Sequence, residues 1–421
     1  METIPNLMWI IGRADSLGAG AAYASLGSAL RSSFGIEAGE AIEQQRDKVT
    51  KGVKRFVAGD DVQRVIDFIG ELVGVPFPDE NRPRLHAARQ NAQIMAAQIE
   101  LAYVDLTRAI VEKQPTLLVL EDLHWGDSAS VKLVDVTLRE LHAQPLVVLA
   151  FARPEVHDVF PKLWAGRNLA QIRLSPLNRR AAASLAQRIL GESIDQEKLD
   201  AIIERSGGNA FYLEELIRAV ARGHGEALPD TVLGMVEARL TGFATESRRL
   251  LRAASIFGET FWIAGLRGLL GETDVELRDL LSELVSQEVV VPKTSRRFAG
   301  EEEYAFRHAL VRDGAYAMLS ARDRVLGHKL AAEWLERVGE QDPVVLATHF
   351  ELGEEWKKAT YWLATTAERI LIGGDPRSAL VTTARGLAMA PEVEVAAHLW
   401  SIRAVAGLYT GDEGLTIAVA A

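Results

Sequence analysis

Cysteine is absent from all 421 residues, which excludes disulfides and thiolate metal sites and leaves the redox compartment open. No apolar run approaches the ~20 residues that a membrane-spanning helix requires. Residues 1–12 offer no basic stretch followed by a cleavable apolar core, so no secretory signal is legible. Positive charge is in deficit, with 47 Lys and Arg against 58 Asp and Glu, a net −11. That balance disfavours nonspecific contact with DNA or anionic membranes. The expectation is a soluble cytoplasmic protein with no membrane partner, any direct nucleic-acid contact being left to another module. Also missing is any Gly-Lys followed by Ser or Thr, the pair with which a glycine-rich loop reaches β- and γ-phosphates and Mg²⁺. Gly18-Ala19-Gly20 is therefore not read as a phosphate cradle.

What is present allows two or three domains with substantial cores. The most informative stretch is Thr116-Leu117-Leu118-Val119-Leu120 followed by Glu121-Asp122. It reads as a strand of a parallel sheet, buried on both faces, with two acids at its carboxyl end. Ligands of open α/β sheets lie beyond that end. Glu121 and Asp122 suit a Walker B pair, one acid holding Mg²⁺ and the other orienting or deprotonating the attacking water. The residues alone leave open which acid does which, and also a strand that simply ends in solvated acids. A second strand, 146–151, runs into Ala152-Arg153-Pro154-Glu155, and a helix at 128–142 lies between the two. Such a βαβ unit brings both strand tips to one edge. Arg153 is then a γ-phosphate sensor or a plain ion-pair partner at that edge. His124, Asp127 and Ser128 are neighbours on one turn and cannot form a hydrolytic triad, whose members converge from separate elements. Asp127 and Ser128 read instead as helix caps.

Before this unit the pattern gives a strand at 7–13 and helices at 23–34, 38–55, 61–72 and 82–113, the last two separated by Val75-Pro76-Phe77-Pro78. After it come a final sheet strand at 171–177, a helix capped by Asn178, and two helices around Ser206-Gly207-Gly208-Asn209. Helices at 228–240, 246–256, 262–270 and 274–287, with a hairpin at 289–292 and 304–306, match a winged helix. No basic recognition helix occurs there, which argues against a DNA reader. From Arg322 onward, alanine-rich helices break near Gly339, Gly353, Gly373-Gly374 and Pro391. Those at 356–372 and 376–389 look like tetratricopeptide-type pairs, with a plain helical bundle as the alternative.

LLVLEDLHWGDSAS, LVVLAFARPE, SGGNAFYLEEL and YAFRHALVRDGAYAML, in that order, resemble the STAND class of signalling P-loop ATPases. The likeness runs from about Leu7 to about Met389 and is greatest to ATPase regions attached to bacterial adenylate cyclases, serine/threonine kinases and transcription activators. It implies a fold that is α/β and then all-α. A P-loop NTPase-like domain lacking its Walker A strand spans 1–177, a helical lid 178–227, a winged helix 228–307 and tetratricopeptide-like repeats 308–421. It places Leu7 to Arg13 as the second strand of the domain and implies a Walker A loop upstream, so the chain is expected to be a fragment, cut also within its repeats. ATP or ADP with Mg²⁺ are the implied cofactors. By the same likeness Gly208 and Asn209 belong to the lid that packs on adenine and ribose, although Ala210 stands where the family usually has proline. His308 resembles the histidine that touches the β-phosphate of ADP in the related NB-ARC switches. The implied role is a nucleotide-dependent switch that acts on an attached or partner output domain and meets a protein partner through its repeats. Without Walker A, hydrolysis by the chain as it stands is expected to be very weak. The alternative is a noncatalytic interaction scaffold derived from such an ATPase.

Overall fold

A computed structural model describes residues 6–411 except 16, 18–19, 192–194, 222–230 and 294–295. Gly18 and Ala19 and the expected helix start at 228–230 therefore lie outside the described residues, as do the tip of the 293–303 loop and the tail from 412. Most of the described chain is helical, and it carries one small parallel sheet. Among the described residues no helix is long and apolar enough to cross a membrane.

That sheet consists of β1 (Met8–Arg13), β2 (Thr116–Glu121) and β3 (Leu146–Ala150), all parallel, in the order β1-β2-β3. Ile10 pairs with Leu118 and Leu118 with Val148, so these three point to one side. On that side they join a core with Leu26 and Leu30 of helix Ala24–Phe34, Leu106 and Ile110 of helix Ala92–Val111, and Val134 of helix Ser128–Glu140. The opposite side is bare at its flanks: Trp9 is 59% exposed, Ile11 53% and Val147 60%. Parallel sheets are ordinarily covered on both faces.

Two expectations fail here for related reasons. Residues 171–177 form no strand, and Ile172 and Leu174 are 82% and 91% exposed. The free edge of β3 has no strand beside it to which this segment could pair. The helix expected over 82–113 is two, Pro83–Arg89 and Ala92–Val111, because Asn91 turns out of the helical conformation and caps the second through the amides of Gln93 and Ile94.

Helices Arg179–Leu190, Gln196–Ser206 and Ala210–Ala221 enclose a small core of their own around Leu199, Leu213 and Leu216. Next come Val232–Thr241, Thr245–Ile256, Ile263–Leu270 and Asp274–Ser286, with an antiparallel sheet of β4 (Thr260–Trp262), β5 (Val290–Pro292) and β6 (Glu303–Phe306) in the order β4-β6-β5. The expected hairpin thus gains a third strand, and the helix expected from Trp262 begins one residue later. Phe257, Trp262 and Phe298 pack around Trp334, with ring centres 5.4–5.6 Å from it, and so fuse this sheet to helix Ala321–Val338. Pro343–Leu352, Trp356–Ile372, Pro376–Ala388 and Val393–Thr410 follow, each packed on the one before.

The parts are tied together at several points. Ala38 and Phe298 form an isolated parallel bridge, with Ala38 N donating to the Arg297 carbonyl at 2.7 Å. Arg31 donates to Gln341 Oε1 at 2.8 Å, and helix Trp356–Ile372 lies on helix Ala92–Val111.

Candidate functional site

The candidate site lies at the carboxyl edge of the parallel sheet. The ladder sets Arg13 opposite Glu121, and Arg13 Nε donates to Glu121 Oε2 at 2.7 Å. The same guanidinium stands 4.0 Å from Glu259 Oε2, just before β4. Burial opposes the charge on Arg13, but Glu121, then Glu259 and Asp122, hold its pKa above the ordinary value. Burial together with Asp15 and Asp122 pushes the Glu259 carboxyl up. Arg13 thus sits among Glu121, Glu259 and Asp122 at this edge.

Asp122 leaves the strand in the left-handed conformation, at φ 55° and ψ 38°, and opens the short 3₁₀ turn Leu123–Trp125. Asp is among the few non-glycine residues that adopt this region readily. Among the described residues its side chain has no hydrogen bond and no ion pair. Arg153 reaches the same edge because Phe151 N donates to the Leu120 carbonyl at 2.8 Å and Leu123 N to the Phe151 carbonyl at 3.0 Å. Its backbone N donates to His124 Nδ1 at 3.4 Å, and its guanidinium lies 5.6 Å from the Trp125 ring centre, a cation–π distance. Burial, then Arg153, keeps the His124 pKa below its usual value. Arg153 forms no ion pair with either acid among the described residues; Arg13 takes Glu121 instead.

Gly208, Asn209 and His308 lie away from these acids, His308 packing on the helix that Asn209 caps. Gly208 has φ +78°, and its carbonyl accepts from Leu177 N at 2.8 Å. Asn209 caps helix Ala210–Ala221 through Tyr212 N at 2.9 Å. His308 precedes helix Ala309–Ala317, stands 4.0 Å from Glu214 and meets the Phe211 ring edge-on at 4.8 Å between centres. Burial lowers its pKa, against the pull of Glu214. Among the described residues no hydrogen bond, ion pair or ring contact links this group to Glu121, Asp122 or Arg153. The nearest charge link is Glu259, which feels both Asp122 and Arg312 of the His308 helix.

Among the described residues no three His, Asp or Glu side chains converge as a metal site. Mg²⁺ in phosphate-transfer sites takes only one or two carboxylates and completes its shell with phosphate oxygens and water. The uncommitted Asp122 fits that demand. Glu121 offers it only Oε1 while Arg13 holds Oε2.

The sequence reading missed Arg13 and Glu259 as members of this edge. Arg13 was findable, since two parallel strands ending in Arg and Glu in register must juxtapose them. Glu259 was not, being brought in from a distant segment. Asp127 does more than cap: it accepts from Ser130 N at 2.7 Å and also from Tyr23 N at 2.8 Å and Ser25 N at 3.3 Å, pinning the loop after β1 beneath the site.

No family model matches the chain. An uncharacterized protein of Rhizobium meliloti (strain 1021) is 23% identical over 239 residues, which cover 52% of this chain and 22% of that protein. Among solved structures, the chain resembles the Signal Transduction ATPase with Numerous Domains (STAND) protein with a tetratricopeptide repeat sensor from Pyrococcus horikoshii. That likeness has a TM-score of 0.47 and 13% identity, covering 98% of this chain and 55% of that one.

Proposed function

We propose that the chain is the switch module of a STAND-type signalling ATPase, with half of an ATP/ADP site at the carboxyl edge of β1, β2 and β3. The observation that carries this reading is a three-stranded parallel sheet whose acidic edge is formed while its β3 flank is unpaired and the flanks of one face are exposed. A further strand and helix bearing a Gly-Lys-Ser/Thr loop would pair with β3 and cover Trp9, Ile11 and Val147, each burial contributing roughly 1.5–3 kcal/mol. It would set phosphates beside Asp122 and Arg153. In this reading Asp122 holds Mg²⁺, Glu121 orients water once freed from Arg13, and Arg153 answers the γ-phosphate. Such a site catalyses ATP hydrolysis only when complete.

The helices of 178–227 act as the lid, 228–307 as a winged-helix arm, and the helical stack beyond it as tetratricopeptide-type repeats that receive a protein partner in the cytoplasm. The output domain, a cyclase, kinase or DNA-binding unit, is attached or separate. The ties between Ala38 and Phe298 and between Arg31 and Gln341 suit the closed state of such a switch. Hydrogen exchange on the chain preceded by a strand, a Gly-Lys-Ser/Thr loop and a helix tests this. Mg²⁺·ATP should speed exchange at Ala38 and Ala299, relative to ADP. Identical exchange in both nucleotides would favour the alternative, a scaffold that has lost the switch.

A further inference from the structure

A cavity of about 650 Å³ lies where the sheet domain, the β5–β6 connection and the helical stack meet. That volume falls within the range of small-molecule sites. Five arginines and Lys293 line it, and three of these arginines come from three different parts of the chain: Arg31 of helix Ala24–Phe34, Arg297 of the β5–β6 connection and Arg369 of helix Trp356–Ile372.

Six acids line it too, Asp15, Glu37, Asp127, Glu303, Glu340 and Asp342; Asp342 feels Arg297 and Arg369, and three of the others hold backbone or indole N–H groups. Asp127 accepts the three backbone amides already named. Glu303 accepts from Trp262 Nε1 at 3.2 Å and Arg297 N at 2.9 Å. Glu340 accepts from the amides of Gln341 and Asp342 while pairing with Arg297 at 2.8 Å. The cations are less well matched. Arg31 meets only neutral oxygens, the Val73 carbonyl at 2.9 Å and the amides of Gln341 and Gln45. Arg369 donates to the Gln341 carbonyl at 2.8 Å and has no carboxylate partner among the described residues. Burial and then the neighbouring Arg297 push the Arg31 pKa down to about 10, as expected where positive charge is incompletely neutralised. The Ser25 hydroxyl, at a residue 3% exposed, also belongs to the wall and has no partner. Trp262 and Phe257 give the opposite wall an aromatic surface.

We propose that this cavity binds a small organic phosphate with at least two negative charges, held by Arg31, Arg297 and Arg369, with its apolar part against Trp262 and Phe257. Guanidinium forks are matched to phosphate oxygens and bond them in pairs. Since each arginine comes from a different part, the ligand would fasten the three together. The cavity reaches the acid edge of β2 through Arg13, Asp15 and Trp125, but Arg31, Arg297 and Arg369 are not members of that edge, and the assignment does not rest on the nucleotide-switch reading.

Calorimetric titration of the chain with pyrophosphate, and separately with ADP as a phosphate carrying an aromatic base, tests the assignment. Binding of either probe at millimolar concentration or below is expected. Arg369→Gln and Arg31→Gln should each weaken it about tenfold or more, the loss of a charge-assisted hydrogen bond. Glu394→Gln, on the exposed face of the last helix and outside the cavity, should leave it unchanged. Arg369 is exposed on its helix, so its variant folds even if Arg31→Gln does not, and circular dichroism checks both. No binding of either probe would overturn the proposal. So would equal affinity in wild type and Arg369→Gln, or binding lost in Asp122→Asn alone, which would assign the phosphate to the β2 edge.

Discussion

Acidification should loosen the base of the helical stack through one buried pair, His328 and His349. Their Nδ1 atoms lie 3.0 Å apart, and the Tyr316 hydroxyl stands 2.9 Å from His328 Nε2. A consistent assignment has Tyr316 donating to His328 Nε2 and His328 Nδ1–H donating to His349 Nδ1, both rings neutral. A proton added at His349 Nδ1 would set two N–H groups against each other. Burial, with Arg324 nearby, lowers the His328 pKa to about 4, and burial holds His349 well below its usual value. A base whose folded pKa is depressed contributes stability above its unfolded pKa and loses it as pH falls through the folded value. For His328 the window runs from 6.5 down to about 4. At ~1.36 kcal/mol per pH unit, the loss across it is about 3 kcal/mol. Urea denaturation of wild type and His328→Gln at intervals from pH 7 to pH 4 reads the contribution of this pair, because the titrations of groups away from His349 are common to both proteins. The stability difference between them should shrink by about 3 kcal/mol as pH falls. Parallel curves over the whole range would refute the reasoning.

Asp342 should act in the opposite sense. Burial and Glu340 raise its pKa to about 6 from 3.8, so the stability it confers is complete below 3.8 and lost as pH rises through 6. Asp342→Asn retains the cap on Val344 N and should flatten that part of the pH–stability profile, as read by thermal melts at pH 4, 5, 6 and 7. Asp127→Ala strands the amides of Tyr23, Ser25 and Ser130 and should cost about 3–5 kcal/mol in urea denaturation; a loss under ~1 kcal/mol would contradict the bridging role. Gly208→Ala places a Cβ 2.6 Å from the Leu177 carbonyl at φ +78°. It should destabilise by about 2 kcal/mol or more, and an unchanged melting temperature would show the turn to be yielding.

The parallel unit was legible because a run such as Thr116 to Leu120, with a helix-length spacer before Leu146 to Ala150, admits few other arrangements. Caps were equally readable, Asn178 taking Ala181 N at 2.8 Å and Gly207 closing its helix at φ 55°. Residues 171–177 were misread because β propensity makes a strand only where an edge accepts it, and none does. The break at Asn91 was overlooked because its neighbours continue the helical pattern; a side-chain cap to Gln93 N decided it. At the site, the acids and Arg153 were visible as strand-end residues. The pairing of Arg13 with Glu121 depended on strand register, and the approach of Glu259 on the docking of a segment over a hundred residues away, which local pattern cannot encode.

The account rests on Glu121 and Asp122 forming one side of a nucleotide site that another strand and helix complete. Steady-state Mg²⁺-dependent ATP turnover measures this most directly, in the present chain alone and in the chain preceded by a strand, a Gly-Lys-Ser/Thr loop and a helix. The extended polypeptide should turn over ATP, with Asp122→Asn reducing the rate about 10²-fold or more, while the chain alone stays near the blank. Full turnover in Asp122→Asn, or turnover by the present chain that Glu121→Gln and Asp122→Asn abolish, would contradict it.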